Sequence, residues 1–314
     1  MAKPSRTRQS ASRRERIAIQ RAAERRRQVR NRVLIAVGAV AVIVVVVVVF
    51  IVVKANGKPA ATSSSTSANG PTGAALAKVV ANTTSVPAST LTKVGAGSVA
   101  SPPSALTNGT PLTSGGKPEM LYIGAEYCPF CAFERWGMIV ALSRFGTFSG
   151  LSTVHSGNIT GEVFPNTPTW TFYKSTYTSK YLTFTPVEIE TNVPASNGQG
   201  YTALQTPTSA QQALLSKYDA PPYVSSADKG AIPFVYIGGK YLINGASSSP
   251  SVLAGKSWAT IASSLKDPNS AEAQAIGGTA NYITAAICKT TNNQPSNVCT
   301  PAVTALQSKM TSAG

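Results

Sequence analysis

An α/β domain behind a single N-terminal membrane span is the architecture this 314-residue chain predicts. Three features carry that prediction. A run without charged or polar side chains fills residues 33–53. From residue 119 onward, apolar or Thr/Val/aromatic segments of strand length alternate with helix-patterned ones. Gly, Asn and Pro turns separate these segments. No internal repeat is visible.

Residues 1–32 hold 12 of the 28 Lys and Arg residues against only Glu15 and Glu24, a balance of +10. The rest of the chain carries only +6 of the formal +16, so the basic character belongs to a tail and no nucleic-acid partner is expected. The tail is rich in helix formers and reads as a topology signal lying on anionic lipid headgroups. The run that follows, VLIAVGAVAVIVVVVVVFIVV, would extend roughly 32 Å as a helix, enough to cross a bilayer core. Val44 to Val49 would favour a strand in water, but an unpaired strand in lipid leaves its backbone groups unsatisfied, so a transmembrane helix is expected. Only Lys54 and Lys58 follow closely, which orients the N-terminus to the cytoplasm and everything after residue 53 outside. A cleaved secretory signal would have an apolar stretch of about 7–15 residues, shorter than this one. Arg13-Arg14 lies too far from the span for twin-arginine export.

Residues 54–75 are a low-complexity Ser/Thr/Ala/Gly/Pro stretch, expected as a flexible linker, and residues 76–314 as the extracytoplasmic domain. Within 76–118, LAKVVANTT suggests a short helix and SPPSALTNGTPLTSGGKPE a run of turns, together an approach arm. MLYIGA (120–125) reads as a strand and AFERWGMIVALSRFG as a largely buried helix with solvent windows at Glu134/Arg135 and Ser143/Arg144. LSTVHS, TPTWTFY and YLTFTPVEIET read as strands, and PTSAQQALLSKYDAPP as a helix ended by a proline pair. AIPFVYIGGKYLINGAS has the pattern of a hairpin turning at Gly238-Gly239. Two further helices follow, one with Trp258, Ile261 and Leu265 on one face, the other with Ile276, Ala280, Ile283 and Ile287. A short last helix is expected near Pro301.

The chemistry concentrates in GAEYCPFCAFERW, residues 124–136. A C-x-x-C at a strand–helix junction has the spacing of a redox pair. Cys128 would stand at the helix N-terminus, where free backbone N–H groups and the macrodipole favour a thiolate. Cys131, one turn later, could resolve a mixed disulfide. Pro129 suits the first helical turn because it has no N–H to lose.

MLYIGAEYCPFC resembles the strand–CxxC segment of the thioredoxin superfamily, and AIPFVYIGGKYLINGA resembles that superfamily's cis-proline strand and following hairpin. The resemblance implies a thioredoxin-like fold with a strand-rich insertion at about 146–220. It casts Cys128 as nucleophile, Cys131 as resolving cysteine, Pro233 as the cis proline and Ile232 as the residue whose backbone aligns substrate. The chain from about 75 to 310 is also similar to a family of membrane-anchored thioredoxin-like proteins catalogued as domain of unknown function 929. Two departures stand out. Tyr122 occupies the position of the superfamily's buried acid, and no Lys or His lies in the Pro-Phe dipeptide to lower a thiol pKa.

Glu126 reads either as a solvent-exposed acid or as a proton shuttle for the exchange, and Trp136 as core rather than substrate platform. Cys288 and Cys299 enclose a polar turn and are read as a structural disulfide, which closing such a loop would make worth about 3 kcal/mol. No metal site is expected: the C-x10-C spacing is atypical for zinc, and the only histidine, His155, has no partner. No cofactor is expected. The leading functional expectation is a membrane-anchored thiol–disulfide oxidoreductase acting on exported proteins, re-oxidised by a quinone-linked membrane thiol oxidase. The competing one is a non-catalytic binding or scaffolding module whose CxxC is an inert disulfide.

Overall fold

The computed structural model describes residues 70–196 and 198–313. The expected tail and span, and the linker up to residue 69, lie outside the described residues. Among the described residues, no helix is long and apolar enough to cross a membrane.

Two helices open the described chain, α1 (Gly73–Thr84) and α2 (Ala88–Val94). The first begins inside the segment expected as linker, which corrects that boundary. Strands β1 (Ser104–Leu106) and β2 (Thr113–Ser114) follow, then β3 (Lys117–Gly124) and α3 (Pro129–Leu142). The strand-rich middle holds β4 (Gly146–Ser149), β5 (Ser152–His155), β6 (Pro168–Thr171), β7 (Thr176–Ser179), β8 (Thr183–Glu188), β9 (Glu190–Pro194) and β10 (Tyr201–Ala203). The remainder is α4 (Ser209–Tyr218), β11 (Phe234–Ile237), β12 (Tyr241–Asn244), α5 (Trp258–Ser264), α6 (Gly278–Thr290), α7 (Pro301–Thr304) and β13 (Ser312–Ala313).

The largest sheet among the described residues has seven strands around β3. On one side β3 pairs antiparallel with β11, which pairs with β12, then β1 and β13. On the other side β3 pairs parallel with β8, from Glu119↔Thr183 to Gly124↔Glu188; the short β2 pairs antiparallel with the start of β3. The segment expected as an approach arm therefore contributes β1 to the sheet. Likewise, β8 is a sheet strand inside the span expected as an insertion. The pairs β4/β7, β5/β6 and β9/β10 stand outside this sheet.

Local sequence explains the elements that frame the site. Met120 to Gly124 is buried without interruption, as a central strand covered on both faces requires. β11 and β12 turn at Gly238 and Gly239, with φ of +57° and +76°, angles that a side chain resists. Thr208 and Gln211 form a reciprocal capping box at the start of α4. The main core gathers Trp136, Ile139 and Leu142 from α3 with Ile276, Ile283 and Ile287 near and along α6. Every residue of α3 except Phe130 is buried, so the solvent window expected at Glu134/Arg135 does not exist. Distant partners replace water there. Glu134 accepts from the Ser247 amide (2.9 Å) and hydroxyl (3.0 Å), and Arg135 pairs with Glu188. Trp136 is core, its indole N–H donating to the Pro168 carbonyl at 3.0 Å.

Candidate functional site

The CPFC motif lies where β3 hands over to α3. The chain leaves the sheet at Gly124, turns through residues 125–127, and Cys128 caps the helix from an extended conformation with φ −72° and ψ 120°. Pro129 occupies the first helical position. Cys128 Sγ accepts the Cys131 backbone N–H at 3.2 Å, the role a hydroxyl or carboxylate oxygen plays at an ordinary N-cap.

Facing the motif, the Ile232–Pro233 peptide is cis and leads into β11. The Cys128 thiol donates to the Ile232 carbonyl at 3.6 Å. The structure thus brings Cys128 and Cys131 together with the Ile232–Pro233 segment, 104 positions away. The two cysteines form a small buried cluster with Ala125, flanked by Tyr127, Ile189 and Ile232.

Their electrostatics differ. Burial opposes ionisation of Cys128. Hydrogen bonds from Cys131, the Arg135 charge and the Phe130 amide outweigh it, so the Cys128 thiol is held below its ordinary range. Burial pushes the Cys131 thiol well up, and the neighbouring Cys128 adds to the rise. Of the two sulfurs, Cys128 is thereby the more readily ionised and Cys131 the less.

Glu126 is 7% exposed, which overturns its reading as a solvent-exposed acid. Its backbone N–H donates to the Glu190 carbonyl at 2.9 Å. Burial raises its carboxyl pKa, against hydrogen bonding from Thr171.

Beneath the cysteines lies a charged group that sequence reading missed. Arg135 donates through Nε (2.9 Å) and Nη2 (2.7 Å) to the Glu188 carboxylate, both side chains at 0% exposure. Nη2 also donates to the Ala125 carbonyl at 2.5 Å. The Phe172 amide (3.3 Å) and the Tyr122 hydroxyl (3.4 Å) complete the shell around Glu188. A Cβ built on Gly124 would meet Tyr122 Oη at 2.2 Å and Cys131 Sγ at 3.0 Å, so the phenol and the buried sulfur share the space over this one glycine. A buried acid thus reaches Tyr122 from the neighbouring strand β8. The visible signal was an acid inside an otherwise apolar strand segment, PVEIE, but only the β3/β8 register shows where it lands.

Elsewhere, Cys288 and Cys299 are joined by a disulfide, their Cα atoms 5.6 Å apart, tying the end of α6 to the turn before α7. His155 ends β5 with its ring against Trp258, 4.4 Å between centroids. Among the described residues, no group of three or more His, Cys, Asp or Glu side chains could hold a metal ion.

No curated protein and no solved structure matches the chain. A family model does. It is described as Domain of unknown function (DUF929) and aligns with residues 104–289, from β1 through the CPFC motif and the Ile232–Pro233 segment to the end of α6. That match covers more than half of the chain, which belongs to this family.

Proposed function

We propose that the chain is a membrane-anchored, extracytoplasmic thiol–disulfide oxidoreductase with a thioredoxin-like core. The strand order β8-β3-β11-β12, with β8 parallel and β11 antiparallel to β3 and a CxxC helix leaving β3, supports the fold. The observation that carries the activity is Cys128 Sγ at a helix N-cap, hydrogen-bonded to the Ile232 carbonyl ahead of cis Pro233.

Reduction of a substrate disulfide proceeds in two exchanges. The Cys128 thiolate attacks one substrate sulfur, forming a mixed disulfide and releasing the other sulfur as a thiolate that takes a proton. Cys131 then loses its proton and attacks Cys128 Sγ. The second substrate sulfur leaves, and a Cys128–Cys131 disulfide forms. Oxidation of a substrate dithiol is the same sequence reversed. The Tyr122–Glu188–Arg135 group bears on the second exchange: the guanidinium lowers the cost of a thiolate at either cysteine. Exported protein thiols and disulfides are the proposed substrates, membrane lipid the anchor's environment, and a quinone-linked membrane thiol oxidase the electron acceptor. Glu126 is kept as a candidate proton shuttle.

The competing reading, a binding module with an inert disulfide, draws on the burial of Cys128, 4% exposed. Trapping in cells separates the two. A Cys131→Ala variant of the full chain should accumulate reducible adducts through Cys128. Absence of any adduct, with Cys128 resistant to alkylation after mild reduction, would overturn the enzyme.

A further inference from the structure

We infer that the mouth of the CPFC centre is built for extended, cationic polypeptide segments that carry an apolar residue beside their cysteine. The inference rests on the redox reading above and names its substrate class.

The surface around the motif is apolar where water would favour the opposite. Among the described residues, the large hydrophobic side chains that stay exposed are Phe130 (38%), Val163 (56%) and Val193 (56%). Phe130 is the second residue of the central dipeptide. Val163 adjoins Phe164, whose ring meets Phe130 edge-on at 6.4 Å. Val193 lies on β9, in the hairpin whose other strand carries Tyr201, and Tyr201 stacks on Tyr127, next to Cys128, at 4.5 Å. Phe130 and the Val163–Phe164 loop therefore flank the motif together, and the β9/β10 hairpin reaches it through Tyr201.

The loop presenting Val163 is fastened there. The Gly157 amide donates to the Tyr127 carbonyl at 2.7 Å, and the Tyr201 hydroxyl donates to Glu162 at 2.9 Å. A Cβ at Gly157 would fall 1.9 Å from that same hydroxyl, so the bare backbone is what lets the loop close on Tyr201. The insertion thus holds an apolar edge beside the reactive sulfur, where an apolar side chain near a substrate cysteine would be shielded from water.

Charge selects the occupant. The chain is strongly basic overall, yet residues 145–173 and 181–216 contain no Lys or Arg and do contain Glu162, Glu188 and Glu190. Both Glu162 and Glu190 act on Tyr127, whose hydroxyl pKa is pushed up to about 12, by burial first, then by the charges of Cys128 and of Glu190. Arg135, the cation beneath the site, is wholly buried and paired with Glu188. An opening flanked by the half-buried Glu162 and Glu190 repels small anionic thiols and acidic segments, and attracts basic ones.

The test uses the reduced full-length protein in detergent and follows oxidation of Cys128 by stopped-flow. The probes are neutral hydroxyethyl disulfide and three peptide disulfides whose cysteine is flanked by Leu/Lys, Leu/Glu or Ser/Lys. At low salt, Leu/Lys should react about tenfold faster than Leu/Glu, and the gap should narrow as salt is raised. Val163→Ser, at an exposed site where folding is not at risk, should cut the ratio of Leu/Lys to Ser/Lys rates roughly tenfold, the discrimination a small apolar contact supplies. Glu162→Gln with Glu190→Gln should lower the Leu/Lys to Leu/Glu ratio. Equal rates for the three peptides, or ratios unmoved by these variants, would overturn the substrate assignment while leaving the redox reading intact. Failure of hydroxyethyl disulfide and of every peptide to oxidise Cys128 would remove the redox reading, and the substrate class with it.

Discussion

Glu188 is the residue whose loss the structure prices most clearly. Its carboxylate receives two hydrogen bonds from Arg135, one from the Phe172 amide and one from the Tyr122 hydroxyl, in a place with no access to water. Glu188→Ala removes all four acceptor contacts and leaves a guanidinium at 0% exposure, its Nη1 already without a partner and its Nη2 holding only the Ala125 carbonyl. Breaking a buried pair from one side costs about 3–5 kcal/mol, because the remaining charge is uncompensated. For a domain of this size that is a fall in Tm on the order of 10 °C. Trp136, Trp170 and Trp258 are all buried, so urea unfolding followed by tryptophan fluorescence reads the loss directly. The double variant Arg135→Met/Glu188→Leu should recover most of it, since an apolar pair replaces a desolvated ionic one. A single-variant cost below about 1 kcal/mol, typical of an exposed pair, would refute the buried-charge reasoning, as would a double variant no more stable than the single.

Two other perturbations test the surroundings of the site. Burial raises the Glu134 carboxyl from 4.5 to about 7, against the two Ser247 hydrogen bonds. Because the folded value lies above the unfolded one, the associated stability is complete below pH 4.5 and is lost as pH rises through about 7. Glu134→Gln should flatten that decline, worth roughly 3 kcal/mol, in urea titrations between pH 5 and 8; a variant with the same pH slope as the native chain would contradict it. Gly124→Ala would set a methyl 2.2 Å from the buried Tyr122 hydroxyl. A destabilisation of about 1–3 kcal/mol is expected, and an unchanged urea midpoint would show that the phenol moves freely.

Part of this site was legible from sequence because its signals are local. Pro129 after Cys128 marks a helix start, the unbroken apolar run before it marks a central strand, and Gly238-Gly239 marks the hairpin behind Pro233. What failed depended on contacts across the chain. Glu134 and Arg135 read as a solvent window because helical periodicity cannot see Ser247, 113 positions later, or Glu188, 53 positions later. YLTFTPVEIET read as one strand. In the fold it breaks at Ile189, whose amide donates to the Gly124 carbonyl at 2.7 Å and whose carbonyl accepts from Leu204 at 2.9 Å. Glu188, the last residue before that break, lies beside Tyr122. The short strand β1, three residues in a Pro/Ser-rich segment, has too little pattern to be found without its partners β12 and β13.

The central claim is that Cys128 and Cys131 form a reactive, chemically unequal pair. Alkylation of the reduced full-length protein with iodoacetamide across pH 5–10, each cysteine quantified by mass spectrometry, tests it most directly. Cys128 should react first, its rate falling only as pH drops below the ordinary thiol range of about 8.5, while Cys131 stays protected to higher pH. Equal rates at the two positions, or a Cys128 that reacts no faster than an unfolded thiol, would contradict the account.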